Sequence, residues 1–315
     1  MTHTIQNLLP RALTALTLLL SLAVPQAHAA ERHFATPEEA VAALQAALEQ
    51  HDENALLALF GDEAHTLLDS GDAVADQQAR ERFLTALKAG QKLSETGPGA
   101  RVLEVGEDGW PFPIPLKNAF GTWAFDTPAG AEELINRRIG FNELSAIQVS
   151  LALVDAQREY YQRNPDNAKL LHYARRIVSS PGKRDGLYWS DAVKAPDGQP
   201  SPLGELVADA FREGYRKRGE VATPYHGYYY RLLTRQGPAA EGGAYDYVAK
   251  GYLLGGFAVV AWPAEYAVSG VKTFIVNHEG VVYERDLGER TAELAPALNA
   301  FNPDEGWSQA DDTLH

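Results

Sequence analysis

Glu132, Glu133, Arg137 and Arg138 place two acids and two arginines about one helical turn apart. On a helix this spacing makes Glu133–Arg137 an i,i+4 pair worth ~0.3–0.5 kcal/mol. The cluster reads either as a carboxylate site steered by arginines or as a salt-bridged helix start that holds two domains together. Asp126, close to Trp123, is a carboxylate of the kind a pocket uses as a general base, or else the cap of the next helix. A third grouping is aromatic: Trp189, Tyr225, His226, Tyr228, Tyr229, Tyr230, Trp262 and Tyr266. Alternating aromatics fill a core between sheet and helix, and any surplus over one core face can form a sugar- or peptide-binding surface.

The familiar catalytic spacings are missing. No G-x-S-x-G, H-E-x-x-H, P-loop or G-x-G-x-x-G occurs. Of the nine histidines, none pairs with another at a metal-binding helical spacing. His172, His226 and His278 can meet only through the fold, and satisfied polar or surface histidine is the better reading. Asp69, Asp72 and Asp76 lack the EF-hand spacing. Cysteine is absent, which removes disulfides, thiolate metal sites and cysteine nucleophiles. No metal and no cofactor is therefore expected. With 28 basic against 42 acidic residues, a formal charge of −14 argues against nucleic acid and anionic lipid as main partners. The partner expected is an envelope protein or a small ligand.

The elements that must hold these residues begin after a sorting signal. Arg11, the apolar run Ala12 to Val24 and the small-x-small site Ala27-His28-Ala29 make residues 1–29 a cleavable signal peptide. The mature chain is then expected in the periplasm or outside the cell, with no transmembrane anchor. Thr36, Pro37 and Glu39 spell a capping box with proline at the first helical position. Val41, Leu44 and Leu48 supply its buried stripe, and Asp52 caps a second short helix ended by Gly61. A third helix is expected over residues 80–93. Gly97-Pro98-Gly99 then breaks the chain ahead of short strands over 101–107, 112–117 and 120–126.

A long helix follows, from about Ala131 to Arg163. Ala146, Val149, Leu153, Ala156 and Tyr160 form one apolar stripe, and Leu144, Ile147, Leu151 and Val154 form another. Two adjacent stripes call for burial against a sheet or between two layers. A small helix is expected over 168–178. Another, capped by Ser201 with Pro202 at its first position, carries Leu203, Leu206, Val207, Ala210, Phe211 and Tyr215 to a stop at Gly219. Strands over 227–234, 253–262, 271–276 and 281–285 read as an antiparallel sheet, with Asn277 to Gly280 as a hairpin loop. Residues 296–315 read as an acidic, partly disordered tail.

Three resemblances attach to these residues. The segment TPEEAVAALQAALEQHDENALLALF resembles the first two helices of the NTF2-like (cystatin-like) cone, in which a bent sheet wraps on helices. Asn142, Glu143, Ser145, Ala146, Ile147, Ala156, Gln157 and Tyr160 resemble the lower helix of type IV pilins and type II secretion pseudopilins. Gly270, Thr273, Phe274, Val276, Gly280, Val281 and Val282 resemble their late strand pair. Pilins carry a membrane stalk before that helix, where this chain has Glu132, Glu133, Asn136, Arg137 and Arg138. The whole chain is similar to an exported bacterial family, domain of unknown function 2950. The marks are the WPFPIPL run (Trp110 to Leu116), W-x-F-D-T-x-x-G from Trp123 to Gly130, the stretch Glu132 to Leu144, H-G-Y-Y at His226 to Tyr229, and Gly255 to Tyr266.

The fold class expected is α+β. An NTF2-like domain over 30–127 would join a pilin-like domain over 128–295, whose long helix lies on an antiparallel sheet, and the tail of 296–315 would follow. The function expected is non-enzymatic binding in the cell envelope. The alternative is a small-ligand binder or enzyme that uses the interior of the cone, with Asp126 as its polar element.

Overall fold

The computed structural model describes residues 32–61, 64–190, 193–203 and 224–310. The signal segment and the helix expected after Ser201 fall largely outside these residues. The described chain is a mixture of helix and antiparallel sheet, an α+β architecture.

The first half opens with α1, Pro37–Glu49, started as its residues dictate. The Glu39 amide donates to Thr36 Oγ1 at 3.2 Å, and the Ala35 amide donates to Glu39 Oε2 at 3.1 Å. Helix α2, Glu53–Phe60, is capped by Asp52 through the Ala55 amide at 3.0 Å. A single turn, α3 (His65–Leu68), leads to α4, Ala73–Ala89. The helix expected over 80–93 is thus displaced toward the N-terminus. Asp72 caps it, Gly90 ends it, and Leu93 belongs to a strand.

Strands β1 (Gln91–Gly97) and β2 (Ala100–Val105) form a hairpin, so Gly97-Pro98-Gly99 turns between strands instead of preceding them. Strands β3 (Trp110–Pro111), β4 (Leu116–Ala119) and β5 (Thr122–Phe125) complete a sheet ordered β1-β2-β4-β5, with β3 paired to β2. Leu44, Leu56, Phe60, Leu87, Leu103 and Phe125 form the buried core between helices and sheet. Phe60 and Phe125 meet at 5.0 Å between ring centroids.

Helix α5, Thr127–Arg163, has 37 residues and by its rise is about 55 Å long. It begins earlier than expected, at the proline-bearing turn after Asp126. Its opening turns belong to the first core, where Leu134 is packed. Gly130 is required there, because a Cβ would stand 2.3 Å from the Pro113 carbonyl oxygen. The boundary expected at 127/128 therefore coincides with the start of one continuous helix.

The second half is an antiparallel sheet ordered β14-β13-β12-β11-β6: Ser308–Gln309, Val282–Asp286, Lys272–Asn277, Ala258–Pro263 and Tyr228–Leu233. Two-residue strands β7 (Arg235–Gln236) with β8 (Tyr245–Asp246), and β9 (Val248–Ala249) with β10 (Tyr252–Leu253), form small ribbons beside it. The hairpin at Asn277 to Gly280 is present, with Gly280 at φ +89.

All five residues of the first α5 stripe are buried. Of the second, Ile147 and Val154 are buried while Leu144 and Leu151 are half-buried. Two stripes are covered because one side of the helix meets the sheet and another meets the irregular stretch after Asn164. The Gln157 side chain donates to the Ala174 carbonyl and accepts from the Ala174 amide, both at 2.8 Å.

That irregular stretch replaces the small helix expected over 168–178. Its backbone groups are spent on outside partners: Tyr173 N donates to Leu253 O at 3.0 Å and Ser179 N to Tyr188 O at 2.8 Å. A helix would have needed the same groups internally. Residues 258–261 are all buried, since a second core containing Leu233, Tyr247, Val260, Ile275 and Phe301 covers the other sheet face. Phe301 and β14 also show that residues 296–310 are folded onto the sheet and are not a loose tail. No helix among the described residues is long and apolar enough to cross a membrane.

Candidate ligand-binding cavity

Between the helices of the first half and the strand run at Trp110 to Ile114 lies a cavity of ≈ 450 Å³. This falls in the ~300–1,000 Å³ range of small-molecule sites. Leu44, Leu48, Leu56, Phe60, Phe83 and Phe112 make its wall predominantly apolar. An aromatic ladder lines one side: Phe60–Phe112 at 6.2 Å, Phe112–Phe83 at 5.1 Å and Phe83–Trp110 at 6.3 Å. The lining meets solvent at two large apolar side chains, Trp110 at 38% exposed and Phe141 at 56%.

The charged part of the lining comes from α4 and α5, and Ser70 and His226 add polar groups from outside them. Asp76 is buried, and its Oδ2 accepts the Ser70 amide at 2.8 Å. Burial pushes its carboxyl above the ordinary aspartate value, against the pull of the Ser70 hydrogen bonds, Arg138 and Arg80. Arg138 donates to the Thr66 carbonyl at 2.7 Å and to the Leu67 carbonyl. Burial lowers its pKa, while Asp76, Asp69 and Glu265 favour its charge. Arg80 donates to the Leu68 carbonyl at 3.0 Å and pairs with Glu53 at 3.3 Å. Arg137 pairs with Glu133 at 2.6 Å and lies 5.0 Å from the Trp110 ring centroid. Arg82, exposed on α4, also lines the opening.

The residues singled out in the sequence divide sharply. Arg137 and Arg138 reach the cavity, and the Glu133–Arg137 pair is present on an exposed helix face. Asp126 does not line the cavity. It occupies the capping position of α5 without capping it, because its carboxylate pairs with Lys117. The cavity's carboxylate is Asp76, visible as a lining residue once α4 starts at Ala73 and sets Asp76 and Arg80 one turn apart.

The aromatic residues do not form one exposed surface. Trp189 and Tyr228 are buried in the core under α5, with Tyr225 and Tyr230 packed against it. The Tyr228 hydroxyl donates to the Lys272 carbonyl at 2.9 Å. Trp262 lies against Tyr229, centroids 5.7 Å apart, on the opposite sheet face. The Tyr266 hydroxyl meets Asp286 at 3.3 Å. The surplus of aromatics is explained by a sheet covered on both faces. Of that set only His226 reaches the cavity, its ring 5.9 Å from Phe141. His172 is held by Asp166 at 3.0 Å, and no group of three His, Asp or Glu among the described residues converges as a metal site.

Sequence comparison adds a family to this geometry. No curated protein and no solved structure matches the chain. A family described as protein of unknown function (DUF2950) matches residues 31–310, and the chain, with its apolar cavity lined by buried Asp76 and half-buried Arg138, belongs to that family.

Proposed function

We propose that this is an exported protein that binds a small ligand in the cavity of its first half. The observation that carries the reading is the cavity itself, an interior of ≈ 450 Å³ with an apolar wall, a few convergent polar groups and the solvent-exposed rings of Trp110 and Phe141 in its lining. Raised exposure of two large apolar rings at one opening is the kind of surface that marks a binding site. Export to the periplasm or beyond is supported by the signal-like residues 1–29.

We read residues 30–127 as the NTF2-like domain and the following sheet with α5 as the pilin-like domain. What supports this is helices packed with a five-stranded antiparallel sheet around a cavity in the first half, and a long helix laid on antiparallel strands in the second. The cavity takes most of its wall from the first of these and Arg137, Arg138, Phe141 and His226 from the second, so a bound ligand touches both.

The test uses the mature protein and a neutral apolar fluorophore, N-phenyl-1-naphthylamine. One-to-one binding with a blue-shifted emission is expected. Ala79→Trp, at an exposed position of the lining, should abolish it without changing the circular dichroism spectrum. Absence of saturable binding by the unaltered protein overturns the reading.

A further inference from the structure

The lining has a charge sign opposite to that of the protein. Among the described residues, Arg80, Arg82, Arg137 and Arg138 line one cavity against a single carboxylate, Asp76, in a chain of formal charge −14. Clefts lined by one sign with apolar walls concentrate the opposite ion, whatever the charge elsewhere.

The four arginines are not equivalent. Arg138 has spent its terminal nitrogens on the Thr66 and Leu67 carbonyls, and Arg80 is used by Leu68 and Glu53. Arg137 donates to Glu133 through Nε alone, leaving its two terminal nitrogens, and Arg82 makes no ion pair among the described residues. Both are exposed, so the available positive charge lies on the solvent side of the lining, with Arg137 beside Trp110. Deeper in, Asp76 repels an anion, and the leucine and phenylalanine wall offers nothing to solvate one.

Resting on the binding function proposed above, we infer that the ligand is a single-chain amphipathic anion. Its carboxylate or phosphate head meets Arg82 and Arg137 at the opening, and its hydrocarbon chain lies along Leu44, Leu48, Leu56 and the phenylalanine ladder. The guanidinium of Arg137 suits either head, since its planar pair of donors matches a carboxylate or a phosphate. The chain meets only apolar surface, which supplies most of the affinity.

The experiment is displacement of N-phenyl-1-naphthylamine by dodecanoate, dodecyl phosphate and 1-dodecanol below their aggregation limits. One of the two anions is expected to bind roughly tenfold more tightly than dodecanol, the order of one charge-assisted hydrogen bond. The exposed double variant Arg82→Ala/Arg137→Ala should erase that preference, bringing both anions to the affinity the variant shows for dodecanol. Preference for dodecanoate assigns free long-chain acids, and preference for dodecyl phosphate a phosphate-headed lipid; both uphold the inference. Equal binding of dodecanol, or a preference that survives the double variant, overturns it while leaving the binding function standing. Failure of the fluorophore itself to bind overturns both.

Discussion

Asp72 accepts the Gly227 amide at 2.9 Å across 155 residues of chain. Its other oxygen caps α4 through the Ala75 amide at 3.1 Å. One buried carboxylate thus starts the helix that carries Asp76, Arg80 and Arg82, and ties that helix to the first strand of the second half. Asp72→Ala removes a helix cap and leaves a buried amide unpaired. We expect a loss of about 2–4 kcal/mol, from the cap and the orphaned donor together, read as a lower urea midpoint with an unchanged slope.

Gln157 is fully buried, and both ends of its amide are bonded to the backbone of Ala174. Gln157→Leu fills a similar volume but strands one N–H and one C=O. The expected cost is on the order of 3 kcal/mol. Amide hydrogen exchange at Ala174 should accelerate in the variant, which a simple packing defect elsewhere in the core would not produce.

Asp76 is the group whose titration shows in stability. Its folded-state pKa is raised above the ordinary value of 3.8, chiefly by burial. The folded protein then binds more protons than the unfolded chain between those two values, so this contribution to stability is complete below about 3.8 and is lost as pH rises through the folded pKa. The raised pKa already includes the attraction of Arg138 and Arg80, so the charge is unfavourable on balance. Asp76→Asn, which keeps an acceptor for Ser70, is therefore expected to raise the melting temperature at pH 7. The difference from the unaltered protein should shrink toward zero on acidification below about 3.8, measured by thermal scans across pH.

Gly130 faces the backbone of Pro113 and Ile114, with no room for a Cβ. Because the obstructing atoms are backbone, neither side chain rotation nor a small shift relieves the clash. Gly130→Ala should cost roughly 1–3 kcal/mol, despite the higher helix propensity of alanine. Denaturant melts of the variant check this, and an increase in stability would contradict the observed approach.

Much of the scaffold was legible in the residues because local chemistry set it. The Thr36 capping box, the Asp52 cap, the two stripes of α5 and the Gly280 hairpin all follow from neighbours in sequence. What was not legible depended on distant partners. Asp126 reads as a helix cap or pocket base, yet Lys117 claims it from the adjacent strand. Residues 168–178 read as a small helix, but Leu253, Gln157 and Tyr188 take their backbone groups. The aromatic run around Tyr228 reads as surplus only if one sheet face is covered, and the returning segment at Phe301 covers the other. For the cavity, Arg137 and Arg138 were visible as a pair. Asp76 was not legible as their partner, because a helix expected over 80–93 holds Arg80 and Arg82 but leaves out Asp76, which joins them only when the helix starts at Ala73.

Asn142 and Glu143 sit in the middle of α5 and fix it to the sheet. The Asn142 amide donates to the Ser269 carbonyl at 2.9 Å, and Glu143 accepts the Val271 and Lys272 amides at 2.9 Å. The turns before them belong to one hydrophobic core and those after them to another. There is accordingly no loop at which a protease can part the halves cleanly, since a cut within residues 127–163 bares an apolar stripe on each fragment. The two cores share their longest structural member, so the protein should melt in one cooperative transition, not two.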